Sequence, residues 1–241
     1  MTNEDTENKL KEYYSKAKLE LSPDFSRKHI RFLLCKDEMR KISDRIYDVE
    51  QFRSHLTRLC PLRVFSSVAY YLNPTIVGKK EFDNAILLYT DMLLEDDFDD
   101  LKDAKKWAKT LWKWLDKNKP KYKKEMLFSG GRGFHIKLIK WDRDIVSKIA
   151  DPKERVKVIR QMREDLCDEI EKAGISLDRA VCVDERRISG VPLTIHHSGN
   201  LIQPIKLNKI STFKPKKVLD IQLDKPIKIF DIMSELRKRN K

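Results

Sequence analysis

A mixed α/β domain is the fold class the sequence predicts, and three stretches predict it. LKDAKKWAKTLWKWLDKN (101–118) repeats apolar residues at helical spacing, NAILLYTDML (84–93) is a continuous apolar run, and FHIKL (134–138) alternates apolar with polar residues. The first reads as an amphipathic helix, the second as a strand buried on both faces, and the third as a half-buried strand. At 241 residues the chain can bury a proper core, as one large domain or two small ones. No repeat and no Ser/Gly linker divides it, so a single domain over 1–241 is the economical reading.

The elements follow in chain order. KLKEYYSKAKLEL near the amino end reads as a helix, and FSRKHIRFLLC (25–35) as a strand. DEMRKISDRIYDVEQFRSHLTRL (37–59) looks helical and is closed by Pro61. VFSSVAYYL (64–72) is rich in β-branched and aromatic residues, which favours a strand. After the apolar run, EDDFDD breaks the pattern before the helix over 101–118, whose stripe is Leu101, Ala104, Ala108, Leu111, Trp112 and Leu115. In DPKERVKVIRQMREDLCDEIEKAG (151–174) Asp151 is an N-cap, Pro152 takes the first helical position and Gly174 follows the end. ISLDRAVCVD (175–184) is short and β-like. A basic, proline-spaced tail over 211–241 ends in a short helix around 230–240. Its apolar residues Val218, Leu219, Ile221, Ile227, Ile229 and Phe230 are expected to cover the domain's own core, the alternative being to dock a partner.

Charge narrows the partners. Lys+Arg number 51 against 38 Asp+Glu, a net charge of +13 with a sequence pI near 9.4. Such a surplus points to a polyanion, most simply nucleic acid, and general basicity without a specific partner is the plain alternative. Cys35, Cys60, Cys167 and Cys182 are scattered without zinc-site spacing, which suits reduced thiols. With no signal-like amino terminus and no apolar run of about 20 residues, the expectation is an intracellular protein of cytoplasm or nucleoid with no membrane partner.

The most unusual stretch is MLFSGGRGFHIKLI (126–139), which spends three of only 7 glycines on four positions. Met126, Leu127 and Phe128 lead into the turn, and Phe134, Ile136 and Leu138 leave it pointing to a core. His135 and Lys137 then share the opposite face beside Ser129 and Arg132, while Gly130, Gly131 and Gly133 leave the backbone N–H groups unobstructed. A hydroxyl, a guanidinium, an imidazole and an ammonium around bare backbone suit a phosphate. They equally suit a glycine-rich hairpin with solvated polar residues.

Carboxylates at strand ends are what metal-assisted nucleotidyl transfer needs, because they hold the ions that stabilise attacking and leaving oxygens. Asp91 closes the run AILLYTD, and Glu95, Asp96, Asp97, Asp99 and Asp100 follow. An acidic helix start accounts for Asp99 and Asp100 without any site. LDRAVCVDERRISGVPLTIHHSGN (177–200) adds Asp178, Asp184, Arg187 and His196, each of which also reads as an ordinary surface residue.

Taken together these motifs resemble the catalytic subunits of archaeal and eukaryotic DNA primases, in the primase–polymerase superfamily. SGGRGFH (129–135) is similar to that family's SGxRGxH motif. FSRKHIRF (25–32) and VFSSVAYYLNP (64–74) are similar to its amino-terminal strands, and Asp178, Asp184, Arg187, Pro192 and His196 follow its third region, so the likeness covers most of 11–205. The resemblance implies a primase–polymerase core with a mixed sheet flanked by helices. It implies short primers made on single-stranded DNA from NTPs or dNTPs with Mg²⁺ or Mn²⁺, alongside a large, helical, iron–sulfur subunit. Asp91 and Asp178 would be catalytic, with Glu95 a further metal ligand, and Ser129, Arg132, His135, Arg187 and His196 would contact the nucleotide. Three departures stand against that pattern: YTDMLLEDD in place of Asp-x-Asp, Gly190 in place of a basic residue, and no zinc knuckle. Asp91 has Tyr89 and Leu93 as its i−2 and i+2 neighbours, so the second carboxylate is missing or comes from Glu95–Asp97. The departures motivate an alternative, a degenerate primase-like subunit that binds nucleotide or nucleic acid without polymerising it.

Overall fold

The structure, a computed structural model, describes residues 3–35, 38–78 and 82–221. In chain order they form α1 (Asn3–Lys16), β1 (Lys28–Leu33), β2 (Met39–Lys41), α2 (Val49–Leu59), β3 (Arg63–Tyr71), β4 (Leu87–Thr90) and β5 (Met92–Leu94). There follow α3 (Leu101–Asn118), β6 (Lys124–Phe128), β7 (Phe134–Leu138), α4 (Arg143–Val146), α5 (Pro152–Lys172), α6 (Arg179–Cys182), β8 (Ile188–Gly190) and β9 (Gln203–Pro204).

Two antiparallel sheets carry the chain. One has the order β2-β1-β3-β4 with β8 also on β3, and the other has the order β5-β7-β6-β9. β3 is the hub of the first, pairing β1 along its length and β8 and β4 in turn along its other edge. Its residues are nearly all buried, as its β-branched and aromatic content predicts.

The apolar run 84–93 is not one strand. It leaves the first sheet after Thr90 and joins the second at Met92, so Asp91 is the residue at the crossing. A fully buried arginine of α5 pins that crossing. Arg163 donates from Nη2 to the Thr90 hydroxyl at 3.0 Å and to the Asp91 carbonyl at 2.5 Å, and from Nη1 to the Cys182 carbonyl at 2.8 Å. Asp142 adds bonds from the Thr90 N–H (2.8 Å) and hydroxyl (2.6 Å), and burial lifts its carboxyl to about 6.

The second sheet turns Met92, Leu94, Met126, Phe128, Phe134, Ile136 and Leu138 to a core shared with α3 and α5. α3 supplies Ala104, Trp107, Ala108, Leu111 and Leu115 on one stripe, each large side chain contributing about 1.5–3 kcal/mol by leaving water. Asp100 starts this helix by accepting from the Asp103 N–H at 2.8 Å, the role expected of an acidic helix start. Asp151 caps α5 as the sequence predicts.

Two stretches depart from expectation. Of the stretch 37–59, the described residues 38–59 are helical only from Val49, where Asp48 caps by accepting from the Gln51 N–H, and Met39–Lys41 instead pairs with β1. The stretch 175–184 is no strand: Asp178 accepts from the Val181 N–H at 3.2 Å and starts the short α6. Of the tail, Val218, Leu219 and Ile221 pack on the core beside α1 and β1. Ile227, Ile229, Phe230 and the helix expected around 230–240 lie outside the described residues.

Candidate functional site

The faces of the two sheets that meet carry the polar residues. Antiparallel partners point to the same side, and the register sets Leu93 opposite Lys137, which places Glu95 across from His135. The His135 Nε2 lies 3.1 Å from Glu95 Oε2, and Arg187 Nη2 donates to Glu95 Oε1 at 3.3 Å. Glu95, His135 and Arg187 keep side-chain exposures of 16%, 13% and 18%, so this floor is reachable from solvent. Burial, reinforced by the Asp178 charge, raises the Glu95 carboxyl above its ordinary range against the pull of Arg187 and Arg63. Burial and the cations Lys137, Arg63 and Arg187 drop His135 to about 3, so the ring is neutral at pH 7 and its contact with Glu95 is not an ion pair.

The glycine turn forms the wall above. Gly130 has φ +88°, and a Cβ there would fall 2.3 Å from the His196 Cβ, so a bare backbone is required for His196 to pack in. The Ser198 hydroxyl and the Asn200 amide clamp the Gly130 carbonyl at 2.8 and 2.9 Å. His196 Nδ1 lies 2.8 Å from the Ser198 hydroxyl and 3.1 Å from the Ser198 N, and its Nε2 lies beside Gly131. His197 stacks on His196 with ring centroids 3.8 Å apart, and burial beside Arg63 lowers it to about 4.

Arg63, the first residue of β3, is a member of the cluster that sequence reasoning missed. It presses on Glu95, Arg187, His135, His196 and His197 electrostatically, and burial together with Arg187 lowers it to about 10. Its only sequence signal is a lone basic residue opening an apolar strand. Three buried nitrogens here, Arg63 Nε, Arg187 Nε and His197 Nδ1, find no hydrogen-bond partner among the described residues.

The other site residues fall as follows. Asp178 is half-buried next to Glu95, its N–H donating to the Glu95 carbonyl at 2.9 Å. Ser129 accepts from the Gly131 N–H at 3.4 Å inside the turn. Arg132 points outward to Asp99, with Nη1 3.4 Å from the carbonyl oxygen and 3.9 Å from Oδ1. Asp91 is not in the cluster. Lys28 Nζ sits 2.8 Å from its Oδ2, Tyr70 donates at 3.1 Å, and the Lys140 N–H donates at 2.9 Å, all in a site 3% exposed. Burial alone would raise this carboxyl, but Lys28, Lys137 and the Lys140 N–H together outweigh it and hold Asp91 below the usual carboxylate range.

A divalent metal therefore meets a poor donor set. Position 93, two residues before Glu95 on the same face, is a leucine packed with Val68 and Val181. Both Glu95 oxygens face cationic or imidazole groups, and among the described residues no group of three or more His, Cys, Asp or Glu is placed to hold a metal ion. The residues present do not fit the pair of ions that two-metal transfer uses.

No protein-family model and no curated protein matches the sequence. Solved structures do match the fold. The polymerase domain of Mycobacterium tuberculosis Ligase D, solved in complex with DNA, superposes with a TM-score of 0.50 over 98% of this chain and 88% of that chain, at 7% identity. The fold, antiparallel sheets flanked by helices, is shared with that polymerase domain. No helix among the described residues is long and apolar enough to cross a membrane.

Proposed function

We propose that the chain binds a nucleoside triphosphate between the glycine turn and the Arg63–Arg187 pair, as a primase-like subunit acting with single-stranded DNA. One observation carries this reading: two guanidiniums and two histidines surround the bare turn, and three of their buried nitrogens have no partner among the described residues. Donors buried without partners cost about 1–3 kcal/mol each, a cost that an anionic oxygen arriving among them would relieve. Arg187 and Arg63 would take phosphate oxygens, and His196, Ser129 and His135 would line the same space. The excess of basic residues would hold the strand in a salt-sensitive way. ATP, GTP and the deoxynucleotides titrated calorimetrically against Arg63→Ala and Arg187→Ala test it. Each substitution is expected to weaken binding about 10- to 100-fold, one charge-assisted contact being worth about 1.5–3 kcal/mol. Unchanged affinity in both variants, with the fold intact, would sink the assignment.

A second reading is favoured by the adjacency of Glu95 and Asp178 at a strand end and by the fold shared with a polymerase domain. In it the chain is a DNA primase catalytic subunit, making short primers by nucleotidyl transfer beside a large subunit. It requires Mg²⁺ or Mn²⁺ to bind through Glu95 and Asp178, with Asp97, which feels both charges, as the further carboxylate and Asp91 committed to Lys28. Template-dependent extension on single-stranded DNA, abolished by Asp178→Ala, would select it over binding without polymerisation.

A further inference from the structure

We propose that this cleft holds its nucleotide without a divalent cation, Lys137 supplying the positive charge at the strand face where an ion would otherwise lie. The inference rests on the nucleotide reading above and adds how the charge of the triphosphate is met. In β5 Leu93 turns away from the core that takes Met92 and Leu94, with Asp91 before the strand and Glu95 after it. Directly across from Leu93 in the ladder stands Lys137, and its Nζ donates to the Ser189 hydroxyl of the facing sheet at 2.6 Å. The ammonium is thus fixed between the sheets, in reach of the charges of Asp91 and Glu95, and it is 7% exposed. Glu95 is already flanked by Arg187 and His135, and Asp91 by Lys28.

Charge decides the matter. Asp91 lies between Lys28 and Lys137, Glu95 between Arg187 and Arg63, and Asp178 adds its charge beside Glu95, so four cations meet three carboxylates. Counting the exposed Asp97, which also feels Glu95 and Asp178, brings the two signs only to balance. A dication is drawn to a site where carboxylates outnumber cations, because each anionic oxygen offsets part of its dehydration. This cleft instead has the balance that suits the anion alone.

The test compares calorimetric titrations of ATP and GTP in excess EDTA and in Mg²⁺ or Mn²⁺, with Mn²⁺ alone followed by electron paramagnetic resonance. Affinity that changes less than about fivefold between EDTA and metal, with no Mn²⁺ bound by the protein alone, is the expected result. Affinity lost by about fivefold or more in EDTA overturns the inference and leaves the nucleotide reading standing. Binding absent in every condition overturns both. Lys137→Met is expected to weaken binding in EDTA about tenfold. Leu93→Asp combined with Lys137→Met is expected to bind Mn²⁺, a gain that mere loss of packing does not produce. Thermal unfolding confirms that each variant is folded, and the wild-type comparison decides the question if neither is.

Discussion

Asp91 and Glu95 lie four residues apart, one just before β5 and one just after it, and their surroundings have opposite consequences. Asp91 sits where the chain crosses between sheets, with an ammonium, a phenol and a backbone N–H around its two oxygens. Glu95 sits past the end of β5, where the sheets part and where Asp178 crowds it. A carboxylate with a full set of donors is a structural group. One raised by burial and a like charge, at a reachable floor, is the kind of group the proposed site calls for. The carboxylate that ends the apolar run thus secures the fold, and the next one along faces the cleft.

The largest effect expected from breaking that contrast is on stability. Lys28→Met leaves Asp91 charged and unpaired at 3% exposure, and a broken buried pair costs about 3–5 kcal/mol. Urea denaturation should show that loss for Lys28→Met and for Asp91→Ala, and a smaller one for Lys28→Met with Asp91→Leu, which removes both charges. Nucleotide affinity of the folded fraction should stay near wild type. Loss of affinity without loss of stability would place Asp91 in the site after all.

Where chain pattern and physics agree, the elements were legible from sequence. The helix over 101–118 appears with those bounds because its stripe and its acidic start are local, and the helix after Asp151 likewise. The glycine hairpin was legible as a strand–turn–strand. The requirement of Gly130 for a bare Cα was not, because the group that needs the space, His196, arrives from 66 residues away in the chain. Lys28 and Arg63 escaped for the same reason: each gains its meaning from a partner across the sheet. Asp178 carries a local signal that was misread, an aspartate that opens a helix inside a β-like composition.

Glu95→Gln tests the other half of the comparison, with an intermediate effect. The amide removes a charge that competes with phosphate for Arg187, so affinity for ATP should rise about three- to tenfold. The two acids also predict opposite pH responses. The folded-state pKa of Asp91 is below 3.8, so its contribution to stability is present above that pH and fades as pH falls through the folded value. Glu95 is raised above 4.5, so its contribution is present below that pH and fades as pH rises through the folded value. Equilibrium unfolding across pH should therefore lose its acid limb in the Asp91 variant, and lose its decline toward neutral pH in Glu95→Gln.

The smallest effect belongs to Arg132, the one guanidinium of the glycine turn. The primase resemblance gives it a triphosphate contact, yet its side chain is 69% exposed and lies against Asp99, away from Arg63, Arg187 and the histidines. A solvated arginine held by a solvated aspartate adds little to a ligand bound deeper in the cleft. Arg132→Ala should accordingly change ATP affinity less than about threefold, against the tenfold or more expected of Arg187→Ala. Equal losses in the two variants would show that Arg132 leaves Asp99 on binding and closes over the phosphates. In that case Asp99→Asn, by releasing Arg132 beforehand, should strengthen binding, whereas an arginine that stays outside gives Asp99→Asn no effect.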